Sequence, residues 1–492
     1  MTSDIDKLSI SQTLKCYANA ELSPVEVAKH FISRTNKNKH LNAFVLDTHD
    51  NLIENAKLAE ARYSNKTNLP LDGIICGIKD LFCTKDIRTT ACSRMLKDFI
   101  PKYESTVTSK LKENGVIGIG KTNMDEFAMG SANNHSYFGQ AFSPWGENLV
   151  PGGSSGGSSS VVSARLCHFA TGSDTGGSIR QPAAYTGLVG IKPTYGRCSR
   201  FGMIAFASSL DQAGVLARSV EDAAITLQYM MGHDSNDSTS AKIDVPNLTK
   251  IFSQNQSERK YKLGVPFKLI EKITNLDLKI AIENAIKAAE ESGMIIVPID
   301  LKNINHSLEV YYILAPAEAS SNLARYDGIR FGHITKQKVA NLEELYCKTR
   351  GEGFGDEVQR RILIGTYVLS SEAIESYYIK AQRVRRMIFN EFKTCFESVD
   401  GIFMPTVPST ALEINKIHLQ SPEEMYMTDI FTIPASLAGL PAMSIPIGMS
   451  NGLPLGGQII SNHFAEETMI CMAKQLEEKL NLHIEPKANL FD

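Results

Sequence analysis

Near the N-terminus the apolar residues recur at helical spacing. Ser23-Pro24-Val25-Glu26 is a capping box with proline in the first turn, and it predicts a helix running to about Thr35. Residues 42–46 predict a short strand, and residues 51–63 a second amphipathic helix. Between about 71 and 218 the texture changes. Short apolar runs at 73–78, 116–119, 164–171 and 188–191 alternate with helical patterns and Gly/Ser-rich turns. Strands separated by helices predict a mainly parallel or mixed sheet in an α/β layer fold. Ser219 then caps a helix through Tyr229, and residues 235–258 read as a polar surface excursion. Beyond Leu263-Gly264-Val265-Pro266 the pattern predicts a helix near 276–292, a strand at 294–298 and a helix over 371–396. That last helix carries Lys380, Arg383, Arg385 and Arg386, a cluster expected on a solvated face or a partner contact. No tandem repeat is visible. The chain reads as one domain over 1–492: a helical part to 66, a core over 67–230, and over 231–492 the rest of the sheet with helices around a pocket.

Composition narrows the function classes. With 43% hydrophobic and 21% charged residues, the chain is an ordinary globular protein. A net charge of −3 argues against a surface that tracks a phosphate backbone, though a partner could bind RNA. The nine cysteines form no C-x-x-C pair and the eleven histidines no H-E-x-x-H, so neither a disulfide framework nor a metal site is expected. The acidic start lacks an apolar leader, and no apolar run is long enough to span a bilayer. A cytoplasmic location is the expectation by elimination, with no membrane contact.

Two short motifs mislead. Gly115 to Thr122 fits G-x-x-x-x-G-K-[ST] letter for letter. A phosphate-binding loop needs a strand before its first glycine, whereas residues 105–114 read as a helix that Gly115 stops. Residues 116–119 are then the strand itself, and Asn123 opens the next helix. Gly152-Gly153-Ser154-Ser155-Gly156 fits the G-x-S-x-G elbow, but a loop precedes it and no histidine partner is evident downstream.

Three other segments each set a polar side chain among glycines beside an apolar run: Gly77-Ile78-Lys79-Asp80, the stretch from Pro151 to Ser158, and the stretch from Gly172 to Pro182. A serine hydroxyl attacks poorly until a base takes its proton. With no histidine in these segments, a lysine made neutral by burial is the natural base. Glycines before Ser178 leave backbone N–H groups free to face a developing oxyanion. A lone lysine beside a strand is usually a surface charge, and a Gly/Ser stretch usually a flexible loop. Residue types alone do not tell nucleophile from bridge.

Gly152 to Pro182 resembles the amidase signature, and Gly77-Ile78-Lys79-Asp80 resembles that family's lysine motif, within a likeness that covers nearly the whole chain. Segments 120–130, 232–240, 317–328, 351–362 and 429–439 resemble the A subunits of the family's tRNA-dependent amidotransferases. The resemblance implies an amidase-signature fold, a central mixed β-sheet covered by helices on both faces. It implies a Ser-Ser-Lys relay: Ser178 as nucleophile, Ser154 as proton bridge after a cis peptide from Gly153, and Lys79 as base. The amides of Thr175, Gly176, Gly177 and Ser178 would form the oxyanion hole, and Ser131 and Ser155 would support the relay. The substrate would be glutamine. Its carboxylate would meet Arg361 or the adjacent Arg360, its ammonium Asp429, and Tyr312 would line the pocket. The family also implies a heterotrimer. A B subunit binds misacylated tRNA and uses ATP and Mg²⁺, a small C subunit wraps the glutaminase chain, and this chain itself holds no cofactor. A free-standing amidase for other amides and an inactive scaffold are the alternatives. The Arg360-Arg361 and Asp429 segments speak against the first, and the intact Lys79, Ser154 and Ser178 against the second.

Overall fold

The computed structural model describes residues 5–253, 259–417 and 419–486. Eleven strands form one mixed sheet: β1 (Phe44–Asp47), β2 (Ile75–Lys79), β3 (Ile117–Thr122), β4 (Phe169–Asp174), β5 (Val189–Lys192), β6 (Gln212–Ala217), β7 (Lys262–Val265), β8 (Ile295–Pro298), β9 (Gly401–Pro405), β10 (Ala442–Ser450) and β11 (Leu453–Ser461). Their spatial order is β1-β3-β2-β4-β6-β5-β10-β11-β9-β7-β8. β2 runs parallel to both β3 and β4, and β7 parallel to β8 and β9, while the other neighbours are antiparallel.

Every residue of β2, β4, β5, β6 and β9 is buried, as strands covered on both faces must be. Alternate side chains separate into two cores. Cys76, Ile78, Phe169, Ala213 and Val215 pack with the helices Val220–Gln228, Leu276–Glu291 and Glu466–Leu480. Ile75, Ala170 and Leu216 pack on the other side with Pro24–Lys37, His49–Ser64 and Gly156–Ser163. A third core gathers Ser307–Asn322 and Lys380–Cys395. The α/β reading with helices on both faces is therefore correct.

Local signals placed most boundaries. Ser23 and Glu26 form the reciprocal capping box of Pro24–Lys37, and the Ser219 hydroxyl accepts from the Asp222 amide at the start of Val220–Gln228. Gly115 follows the helix Thr106–Glu113 with φ +92°, a left-handed stop that suits glycine. Lys121, inside β3, is buried and donates to Phe82 O, Thr84 Oγ1 and Thr89 Oγ1. It is a structural amine, so the apparent phosphate motif is a strand.

Three expectations need correction. Asn123 opens no regular helix, because Phe127 and Ala128 take φ values of +49° and +63° and leave one 3₁₀ turn, Glu126–Ala128. The run 164–171 straddles a boundary: Ala164 ends Gly156–Ser163 and the strand begins at Phe169. In the long helix, a π-helical stretch Glu375–Ile379 precedes Lys380–Cys395. There Arg385 turns inward and donates to Leu437 O and to both oxygens of Ser209, so one member of the basic cluster is a strut between segments. Of the polar excursion, 254–258 lie outside the described residues.

Candidate active site

Parallel strands expose their carboxyl ends at one edge of a sheet, the usual place for α/β chemistry. Lys79 closes β2, and Ser173-Asp174 closes the parallel neighbour β4. The Lys79 backbone N–H donates to Thr171 Oγ1 at 2.9 Å, which ties the two strand ends together. From its fully buried stem, Lys79 Nζ stands 2.8 Å from each of Ser154 Oγ, Ser155 Oγ and Ser173 Oγ. Burial pushes its pKa down to about 7, against the pull of Asp125 and Asp174 in the other direction.

Proton accounting then assigns the contacts. The Ser155 hydroxyl donates to Ser173 O at 3.3 Å, so its oxygen must accept from the lysine. A neutral amine has a pair of N–H donors and a single lone pair. With the donors directed to Ser155 and Ser173, the lone pair is left for the Ser154 proton. Ser173 escaped sequence reasoning, because a strand serine next to an aspartate looks like any other. The clue was its place in the run Gly172 to Pro182, at the end of an apolar strand.

The peptide between Gly153 and Ser154 is cis, as the resemblance implied. Ser154 O accepts from the Asp125 amide at 3.2 Å, and the Ser155 amide donates to Ser178 O at 3.2 Å. Ser178 retains 9% exposure, while Ser154 and Lys79 have none. Among the described residues the Ser178 hydroxyl makes no hydrogen bond, so Lys79–Ser154 is the formed link of the expected series. The step from Ser154 to Ser178 is not closed.

The amides of Thr175, Gly176, Gly177 and Ser178 donate to no acceptor among the described residues. Around them the loop is strapped down. Thr175 Oγ1 donates to Asp211, Thr432 Oγ1 donates to Gly176 O at 2.6 Å, and the Gln181 amide donates to Gly177 O at 2.8 Å. Gly177 sits at φ +147°, and a Cβ there would lie 2.2 Å from Thr432 Oγ1. Beneath the loop Arg180 grips Asp174 through two bonds of 2.9 and 3.0 Å, and it also donates to Thr432 O, Gln458 and Ser436. Burial opposes ionisation of Asp174, but Arg180 holds its carboxyl below the usual range. Arg180→Met will leave a buried carboxylate unpaired. It is expected to cost about 3–5 kcal/mol, read as a fall in the denaturant midpoint at unchanged slope.

A second group of side chains meets this loop. Arg361, on the helix Asp356–Val368, is 3% exposed and donates from Nε to Glu357 at 2.8 Å. Its guanidinium carbon lies 5.5 Å from the ring centres of both Tyr312 and Phe206 and 5.8 Å from Tyr426. Tyr426 stacks on Tyr312 at 3.8 Å, and its hydroxyl also reaches Glu357. Arg360 points outward with a side chain 44% exposed, against 4% for Arg361. Of the two arginines, Arg361 is the one beside Tyr312. Among the described residues neither of its Nη atoms meets an acceptor.

Asp429 is buried, and burial pushes its carboxyl up to about 7 against the opposing influence of Ser131 and Arg361. Ser131 donates to Asp429 Oδ2 at 2.6 Å. This corrects its expected place: Ser131 serves Asp429, not the relay, because the loop after Met129 crosses toward the 427–432 segment. Ser155 does contact the relay, as expected. Glu357 and Tyr426 were missed, since partners so distant in sequence leave no local signal. Among the described residues, no group of three or more His, Cys, Asp or Glu side chains could hold a metal ion, and no helix is long and apolar enough to cross a membrane.

A serine loop with free amides, a cis-linked second serine and a buried lysine at adjacent strand ends define a serine amidohydrolase site. The chain belongs to the amidase family, whose model matches residues 26–470. The A subunit of glutamyl-tRNA(Gln) amidotransferase from Rickettsia bellii is 49% identical over 481 residues, covering 96% of this chain and 97% of the relative. The protein of the same name from Orientia tsutsugamushi is 50% identical over 488 residues, or 98% and 99%. Among solved structures, the protein of that name from Thermotoga maritima superposes with a TM-score of 0.80 at 36% identity over 99% of both chains. The peptide amidase of Stenotrophomonas maltophilia superposes at 0.82 with 26% identity over 98% of both.

Proposed function

We propose that this chain is the glutaminase component of a tRNA-dependent amidotransferase. Neutral Lys79 draws a proton from Ser154, which takes one from Ser178 as Ser178 Oγ attacks the side-chain amide carbon of glutamine. Rotation of the Ser178 side chain closes the missing link, since catalytic hydrogen bonds commonly tighten only with substrate present. The amides of residues 175–178 receive the oxyanion. The proton on Lys79 returns through Ser154 to the amide nitrogen, ammonia leaves, and a glutamyl ester remains on Ser178. Water, activated by the same relay, then releases glutamate.

The observation that carries the choice of glutamine is a pair of buried opposite charges beside this serine. Arg361 offers two unpaired Nη ends to a carboxylate. Asp429, one Oδ taken by Ser131, offers the other to an ammonium. Asp429 O accepts from Thr432, whose hydroxyl holds Gly176 O, so the clamp is fastened to the oxyanion loop. The relatives' names support the rest. Ammonia freed into bulk water would be protonated, so it passes to a B subunit that uses ATP and Mg²⁺ to amidate misacylated Glu-tRNA(Gln) or Asp-tRNA(Asn), with a C subunit in the same complex.

Ammonia release from glutamine, measured with and without B and C subunits and misacylated tRNA, tests this reading. Preferential turnover of amides lacking an α-amino acid group would favour a free-standing amidase. Within the test, Arg361→Met should raise KM for glutamine about a hundredfold, the loss of a charge-assisted carboxylate contact. An unchanged KM would remove Arg361 from the clamp.

A further inference from the structure

The relay and the clamp come from segments far apart in the chain, and a short stretch between them touches both. Asp125 donates its amide to Ser154 O, and its carboxylate accepts from the amides of Asn133 and His135 at 2.9 and 3.1 Å. The adjacent Glu126 faces the other way. It is buried, and its Oε2 accepts from the Gly355 amide at 2.8 Å across 229 residues of sequence. Its Oε1 accepts from the Ser93 hydroxyl, which lies 3.3 Å from Gly353 O. Gly355 is the N-cap of the helix that carries Glu357 and Arg361, and it has no side chain with which to cap. The Glu126 carboxylate takes that part from another segment, at the end of a helix where negative charge is favoured.

The next residue strengthens the junction. The Phe127 ring lies 5.1 Å from Tyr326 and 5.7 Å from Phe354, so ring and carboxylate hold the same turn. Left-handed φ values at Phe127 and Ala128 persist only where the surroundings hold them. Here the Phe127 amide is fixed to Ala91 O at 3.0 Å.

We propose that Glu126 is a positioning residue for the glutamine carboxylate: through Gly355 it sets where the clamp helix begins and hence where Arg361 stands relative to the nucleophile loop. The inference rests on the glutaminase reading above. Glu126 touches neither the relay nor the substrate, so its loss should act on binding. In the assembled enzyme, Glu126→Ala should raise KM for glutamine roughly tenfold to a hundredfold, the effect of a displacement of about 1 Å. Its kcat should stay within about threefold, and Ser178 should react with phenylmethanesulfonyl fluoride at the rate of the unaltered enzyme. Glu126→Gln should restore KM to within about threefold, because its Oε1 can accept from Gly355 while its Nε2 donates to Ser93, whose proton turns to Gly353 O.

A Cβ on Gly355 would lie 2.6 Å from Glu126 Oε2. Gly355→Ala therefore disturbs the same contact from the opposite side and should reproduce the KM rise if Glu126→Ala does not fold. Unchanged KM in Glu126→Ala, or in Gly355→Ala where that variant replaces it, would overturn the proposal. So would a parallel loss of Ser178 labelling, or failure of Glu126→Gln to rescue. Should the unaltered enzyme leave glutamine intact, the glutaminase reading fails by itself. The hold on the helix is then read from hydrogen exchange at the 355–361 amides, which Glu126→Ala must accelerate and Glu126→Gln must not.

Discussion

Ser178→Ala will lower ammonia release from glutamine by about a millionfold, the scale seen when the nucleophile of a serine hydrolase is removed. The expectation rests on position. Ser178 is the exposed member of the serine-lysine group, and it follows directly on a loop whose amides lack acceptors. The substitution deletes one oxygen that makes no hydrogen bond among the described residues, so no buried partner is stranded. Thermal unfolding and co-purification with partner chains should therefore be unaltered. The same variant should form no covalent ester when incubated with glutamine and quenched, a result that mass spectrometry reads directly. Retained glutaminase activity would remove Ser178 from the nucleophile's role.

Lys79→Met should be nearly as damaging, at about ten-thousandfold in kcat, near the upper end of what a general base contributes. Methionine fills the space of the stem but cannot receive a proton, so Ser154 would have nowhere to pass one. The pH profile of the unaltered enzyme supplies an independent reading. Burial lowers the Lys79 pKa to about 7 from 10.5, and the working form is the neutral amine. Activity must then rise with pH up to about 7 and level off above it, the opposite of an enzyme needing a charged lysine. Asp429 titrates in the same region, its carboxyl raised to about 7, but its effect should fall on KM, since a protonated acid binds an ammonium poorly. The acid limb of kcat thus reports Lys79, and the acid rise in KM reports Asp429. A kcat independent of pH between 5 and 8, about two units below 7 to one above, would contradict a titrating lysine base.

The chain order already contains much of this protein. Ser23 with Glu26, Ser219 with Asp222 and the stop at Gly115 are decided within a few residues, because a helix end needs donors and acceptors from its own neighbourhood. Burial of β2 and β4 follows from apolar runs too short for helices. Lys79, Ser154 and Ser178 were legible as polar residues among glycines beside such runs. Tertiary structure decided what those residues touch. Lys79 lies 75 residues from Ser154, and Ser131 lies 298 from Asp429. The same holds for Ser173 as the amine's further partner, Arg361 over Arg360, Glu357 and Tyr426 around the guanidinium, and Glu126 on Gly355. Local sequence sets which backbone shapes are cheap. Which distant side chain meets a buried charge depends on how strands register and helices pack, and that packing is a property of the whole sheet.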